Sequence, residues 1–193
     1  MNDLSPTATR ILDVAQDLIQ KSGYNAISFN HIAEGVGIKK PSIVHHFPNK
    51  AALGRAVVVR YRETFTVALD SVQADPTKNA LDVLALYFKP YTDIANTREK
   101  ICLCGALAGE FMALPEEMKE EVASFFKQHL QWLRSILQAG KDDGVLGFCG
   151  PADAMAKLIF DALQGGLIVA RATDEDGHLN GVIDELIKNI RPA

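Results

Sequence analysis

Disulfides, membrane spans and catalytic signatures are all missing from this chain of 193 residues. Three cysteines, Cys102, Cys104 and Cys149, are too few for a disulfide scaffold, and an odd count points to reduced thiols. No apolar run approaches the roughly eighteen residues that cross a bilayer. The N-terminal MNDLSPTATR carries no apolar signal region, so a cytoplasmic location without membrane attachment is expected. A glycine-rich phosphate loop, G-x-S-x-G and H-E-x-x-H are absent, and no carboxylate pair stands out from solvated helix faces, which argues against an enzyme. Cys102-x-Cys104 has no paired histidine or second cysteine pair nearby, so neither a metal nor a cofactor is expected. Alternating strand patterns, internal repeats and low-complexity segments are lacking too.

What is present is helix. Hydrophobic residues make up 48% and charged residues 23%, enough for a packed core. Apolar positions recur at helical period almost throughout. A first helix starts near Ser5-Pro6, buries Ile11, Leu12, Ala15, Leu18 and Ile19, and stops at Gly23. A short second helix follows a capping Ser28 and is broken by Gly37. A third begins just beyond, and Asn49 caps a fourth from Lys50 to about Val72. Later helices are expected from a Thr77 cap to about Asn96 with a kink at Pro90, and from Glu99 to Leu114. Others should span Glu116 to Gly140, Pro151 to Ala172, and Leu179 to Ile190. The fold class is all-α, three short helices followed by about six longer ones.

Charge is divided unevenly. Residues 1–62 hold eight Lys/Arg against four Asp/Glu, whereas residues 63–193 hold twelve against twenty. The basic front is the part suited to a polyanion. Within it, Ile32-Ala33, Val36-Gly37-Ile38 and Ile43 describe two helices crossing through a tight turn, a helix-turn-helix. With Ile43 and His46 turned inward, Lys40, Pro41, Val44 and His45 face out, with Ser42 at the margin. Such a surface suits the major groove of double-stranded DNA: Lys40 to guanine O6/N7, Ser42 to a base edge or phosphate, and Pro41 or Val44 to a thymine methyl. Lys39 and Lys50 are placed for phosphates, and the helix starts at Ser28 and Asn49 offer backbone N–H groups.

Arg10-Ile11-Leu12, Gly23-Tyr24, Ile32-Ala33, Gly37-Ile38, His46-Phe47-Pro48-Asn49-Lys50 and Leu53 together resemble the DNA-binding domain of TetR-family transcriptional regulators. The likeness runs in register over roughly fifty residues, and the HFxNK run is its most specific part. It implies a homodimeric repressor whose divergent C-terminal domain binds a small inducer. Two positions depart from the pattern. Lys39 stands where Ser or Thr usually caps the recognition helix, and Val44 and His45 replace two tyrosines. A protonated His45 would still reach phosphate, so DNA binding is expected to tighten at lower pH.

The resemblance also implies a four-helix dimer interface from the last two long helices. Ile159, Leu163, Gly166, Leu167, Val182 and Leu186 are the candidate residues. A candidate effector pocket draws on Tyr87, Phe88, Tyr91, Phe111, Phe125 and Trp132, with Cys102 and Cys104 beside it. Few charges interrupt these apolar faces, which favours an uncharged or largely apolar effector. Cys102 and Cys104 follow Arg98 and Lys100 near an expected helix start, a setting that raises thiolate content. The run Cys102-Leu103, Leu107-Ala108, Glu110, then Leu114-Pro115 and Met118, resembles a TetR subgroup pattern, CLxxxLAxE followed by LPxxM. Some members of that subgroup respond to electrophiles or oxidants through such a cysteine. Two readings of the pair stand: sensing thiols, or small buried hydrophobes.

A helical partner-binding module is the rival, and steep salt dependence separates DNA binding from it. An activator is a variant with the same DNA contacts. The expected organisation is a helix-turn-helix DNA-binding domain at 1–50 and a larger helical effector-binding and dimerisation domain at 51–193. Effector binding or thiol modification would swing the helix from Lys50 and change the spacing of two reading heads.

Overall fold

The computed structural model describes residues 4–192. Among them are nine α-helices: α1 (Pro6–Ser22), α2 (Phe29–Val36), α3 (Lys40–His46), α4 (Lys50–Gln73), α5 (Ala80–Thr97), α6 (Leu103–Gly109), α7 (Glu116–Asp142), α8 (Ala152–Thr173) and α9 (His178–Ile190). A single 3-10 turn, Phe111–Ala113, lies between α6 and α7. Two compact units result. The first joins the described residues up to Glu63 with Leu103–Ser124, and the second joins Thr64–Cys102 with the residues from Phe125 onward. Helices α4 and α7 contribute residues to both.

The first unit is built from local signals that agree with one another. The Ser5 hydroxyl accepts the Ala8 N–H at 3.2 Å, and Pro6 occupies the first turn where no donor is needed. Ala8, Ile11, Leu12, Ala15 and Ile19 repeat at three- and four-residue intervals and are buried. Ser28 accepts the His31 N–H and starts α2. Gly37 ends it in a left-handed conformation, φ 74°, that a side chain resists; its N–H and that of Ile38 both donate to the Ala33 carbonyl. Asn49 then caps α4 through the Ala52 N–H at 2.8 Å. Leu103, Leu107, Leu114 and Met118 are buried in the same unit. The Glu110 carboxylate accepts both the Asn25 backbone N–H, at 2.8 Å, and its side-chain amide, at 2.6 Å. Glu121 similarly holds Arg55 and Arg62 of α4 at 3.0 and 3.1 Å.

The second unit packs α5, the later part of α7, α8 and α9. Asn79 and Asp82 form a reciprocal capping box at the start of α5. Val83, Leu84, Tyr87, Phe88 and Tyr91 make the buried face of α5. Close approach of α8 and α9 depends on Gly166, where an added Cβ would lie 2.6 Å from Leu179 Cδ1.

Two expected boundaries are corrected. Thr77 does not cap α5; its hydroxyl donates to Asp75 at 2.6 Å within the preceding turn, and Asn79, with two backbone N–H donors to accept, is the better cap. No helix spans 99–114. α6 covers seven residues, Gly109 ends it, and the chain tightens into the 3-10 turn before Pro115.

Candidate nucleic-acid interface and effector groove

α3 presents an exposed polar row over a buried anchor. Ile43 is fully buried, while Lys39, Lys40, Pro41, Ser42, Val44 and His45 are exposed, Val44 at 42%. Lys39 supplies no side-chain cap; its backbone carbonyl accepts the Ser42 N–H at 2.9 Å, and Pro41 brings no N–H to the first turn. An open hollow beside the helix is lined by Thr7, Ile38, Pro41, Ser42, His45 and His46. Thr7 joins the surface through α1, which a reading of α2 and α3 alone misses. His46 is half-buried, its ring 6.5 Å from that of Phe47, in keeping with a packing role.

The row is held rigidly. Arg10 donates to the Val36 carbonyl at 2.7 Å, fixing the end of α2 just before the turn. Arg60 of α4 donates to Asp13 at 2.7 Å and to the Thr9 carbonyl at 3.3 Å, tying α4 to α1. Two expected phosphate contacts sit differently from the exposed row. Lys50 is half-buried with its ammonium 4.3 Å from the Tyr24 ring centre, and burial lowers its pKa against the opposing charge of Glu110. Ser28 is half-buried, its hydroxyl engaged by the His31 N–H.

The second unit contains a groove of about 320 Å³ lined by Thr66, Leu69 and Asp70 of α4 and by Gln128, His129, Gln131, Trp132 and Ser135 of α7. Behind it lies an aromatic layer. The Tyr87 hydroxyl is 3.1 Å from His129 Nδ1 and 3.3 Å from the Tyr91 hydroxyl. The Tyr87 ring stacks on Trp132 with centres 5.2 Å apart, and Phe125 lies 4.1 Å from the His129 ring. His129 is 2% exposed, and burial pushes its pKa down to about 4, so it is neutral at physiological pH. Burial pushes the Tyr87 phenol up. His129 Nε2 and Trp132 Nε1 are buried without a hydrogen-bond partner.

The expected pocket residues divide accordingly. Trp132 lines the groove; Tyr87, Tyr91 and Phe125 form the layer behind it, and Phe88 is buried in the core of α5. Cys102 precedes α6 and is buried in the second unit, whereas Cys104 and Phe111 belong to the first. His129 was absent from the expected set. Its signal was positional: it follows Phe125 by four residues and precedes Trp132 by three, on one helical stripe.

The expected dimer residues also sit differently. Ile159, Leu163, Gly166, Leu167 and Leu186 are buried within the single chain, and Val182 is half-buried. α8 and α9 turn these faces on each other, as the approach of Leu179 to Gly166 requires. The large apolar groups that α8 leaves exposed are Leu158 (54%), Ile168 (52%) and Val169 (41%). Leu158, Gly165 and Val169 share a face at intervals of seven and four.

Residues 11–57 match the family described as bacterial regulatory proteins, tetR family, and residues 80–186 match the tetracyclin repressor-like C-terminal domain. The chain belongs to the TetR family. A TetR transcriptional regulator from Legionella pneumophila is 32% identical and superposes with a TM-score of 0.87, covering 99% of this chain and 100% of that one. A TetR-family regulator from Agrobacterium tumefaciens is 30% identical with a TM-score of 0.90, over 96% and 98% of the two chains. Among curated proteins, the transcriptional regulator AcuR of Cereibacter sphaeroides is 22% identical over 171 residues, 88% of this chain and 78% of that one. The exposed face of α3 lies within the stretch that matches the tetR family. No helix among the described residues is long and apolar enough to cross a membrane.

Proposed function

We propose that the protein is a homodimeric repressor that occupies a palindromic operator through α3 and releases it when a small molecule enters the second unit. The observation that carries this reading is the exposed Lys39–Ser42, Val44 and His45 row above buried Ile43. Lys40, Pro41, Ser42 and Val44 read base edges, Lys39 and His45 engage phosphates, and Ser28 and Lys50 support the helix starts beside them. Residues 1–50 carry the DNA contacts, and residues 51–193 carry effector binding and dimerisation. A second copy covers Leu158, Ile168 and Val169, which sets two α3 helices about one DNA turn, roughly 34–36 Å, apart.

The effector reading rests on the groove beside Trp132 and His129. Its narrower form, in which Cys102 with Cys104 senses an electrophile or oxidant, gains nothing from burial. The two residues are 3% and 0% exposed, so a reagent reaches either thiol only after local opening. Cys102→Ser is therefore expected to keep the wild-type response to electrophiles in an operator-reporter assay.

Selection of operators from random DNA, followed by binding measured against salt, tests the central reading. The expected result is a palindromic site whose affinity falls steeply as salt rises. A protein with no sequence preference at modest salt would refute it.

A further inference from the structure

We propose that the groove in the second unit takes a compact, uncharged molecule bearing a carbonyl-type hydrogen-bond acceptor, which receives the indole N–H of Trp132 while lying beside His129. This deepens the effector reading above and rests on it.

The first support is an unmet donor. Trp132 is nine-tenths buried and lines the groove; its Nε1–H has no partner and no solvent-accessible surface, so a ligand acceptor reaches it by turning the ring toward the groove. An indole nitrogen can only donate, so the group that completes it must be an acceptor. A buried donor left unmade is unfavourable, and a ligand acceptor removes that penalty.

The second support is His129. It stands one helical turn before Trp132 on α7 and lines the same groove, with Nε2 buried and unpartnered. Its Nδ1 faces the Tyr87 hydroxyl, which also faces Tyr91. A chain of two hydroxyls can reverse its donors, so Nε2 can present either a hydrogen or a lone pair. The pair thus demands an acceptor at Trp132 and tolerates either polarity at His129.

Charge supplies the third support. No lysine or arginine lines the groove, and its charged lining residue is Asp70, exposed on α4. An anion would meet that carboxylate and no counter-charge. A cation would gain only a solvated carboxylate and leave the indole N–H unmade. A neutral acceptor satisfies the donor without either conflict. The flat stack of Tyr87 on Trp132 favours an aromatic or otherwise planar body.

Trp132 is the single tryptophan in the chain, so an amide-type nitrogen–proton spectrum contains one indole cross-peak to follow. Four probes of similar size separate the cases: acetophenone, ethylbenzene, benzoate and benzylammonium. Acetophenone is expected to move the indole peak saturably in the millimolar range, with ethylbenzene, benzoate and benzylammonium each weaker by about tenfold or more. In calorimetry, Trp132→Phe is expected to lose about tenfold in acetophenone affinity while retaining helical circular dichroism. Absence of a saturable acetophenone shift, or equal binding of any other probe, overturns the proposal. These wild-type arms decide it even where the variant fails to fold. Operator binding by the same wild-type sample separates the two readings. DNA binding without an acetophenone shift sinks the ligand class alone, whereas a shift without DNA binding sinks the regulator reading and leaves the groove chemistry standing.

Discussion

Acid should weaken the second unit at a pH where most carboxylates are still ionised, and His129 is the reason. Its imidazole is 2% exposed among Phe125, Phe65, Tyr87 and Phe160, and burial lowers its pKa from 6.5 to about 4. Between these values the unfolded chain binds a proton that the folded chain refuses. The unfolded state therefore gains relative to the folded one as pH falls through that window. Above the upper value the residue costs nothing, and below the lower one its effect levels off. At about 1.4 kcal/mol per pH unit of separation, the loss is about 3 kcal/mol, a large part of an ordinary domain's stability. Asp75, held low by its hydrogen bond with Lys78, and Asp153, held low by that with Lys157, have an ordinary pKa of 3.8 and act only below this window.

Urea unfolding followed by the Trp132 signal, from about pH 7 to about pH 4.5, measures the effect. The comparison is His129→Asn, which keeps a hydrogen-bonding group for Tyr87 and cannot titrate. The variant is expected to be less stable at neutral pH because the ring leaves a cavity, but nearly flat across the window. If wild type and variant lost stability in parallel as pH fell, His129 would not be a buried neutral group.

Replacing Lys40 with alanine is expected to weaken operator binding and relax base preference at one position in each half-site, by about 1–3 kcal/mol, whereas Lys39→Ala should lower the salt slope by about one without changing preference; competition binding at several salt concentrations checks both. Gly54→Ala places a Cβ 2.5 Å from Met118 Sδ and 2.8 Å from Tyr24 Cε2, so thermal unfolding should register a loss of about 1–3 kcal/mol. Val169→Glu puts a charge on the exposed face that Leu158 and Gly165 share on α8, and analytical ultracentrifugation should then find monomer with circular dichroism unchanged; a persistent dimer would place the interface elsewhere.

The first three helices were legible because each boundary is encoded within a few residues. Ser5, Ser28, Gly37 and Asn49 act on backbone groups one to four positions away, so reading them needs no tertiary knowledge. The partition of the chain was not legible. Leu103, Leu107, Leu114 and Met118 look like the opening of the rear half, yet they are buried in the first unit, and Glu110 reaches back across 85 residues to Asn25. α8 is only half legible, for a different reason. Its periodicity marks an apolar stripe correctly, but period cannot say whether the stripe meets α9 of its own chain or a second copy. His129 was missed because a lone histidine within an aromatic stripe has no signature until its Nδ1 is seen 3.1 Å from a buried tyrosine hydroxyl.

For the effector proposed above, the partition sets the path that its signal takes along the chain. The backbone crosses between the units at residues 63–64, 102–103 and 124–125. The first crossing lies inside α4 and the third inside α7, while the second falls at Cys102, outside any helix. The groove is lined by these same two helices, and its lining begins at Thr66 on α4 and at Gln128 on α7, within about one turn of each crossing. A ligand that moves either helix therefore acts on a rod whose peptide hydrogen bonds continue into the DNA-reading unit. Softening the rod should separate binding from response. Two glycines at positions 63 and 64 cost about 1 kcal/mol each in an exposed helix interior, and they remove stiffness without touching α3 or the groove lining. The Glu63→Gly/Thr64→Gly protein is expected to hold its operator with near wild-type affinity while acetophenone, or whichever effector the groove accepts, displaces it at least several-fold less effectively. Equal displacement of the double variant and wild type in a fluorescence-anisotropy titration would mean that the message does not pass through α4.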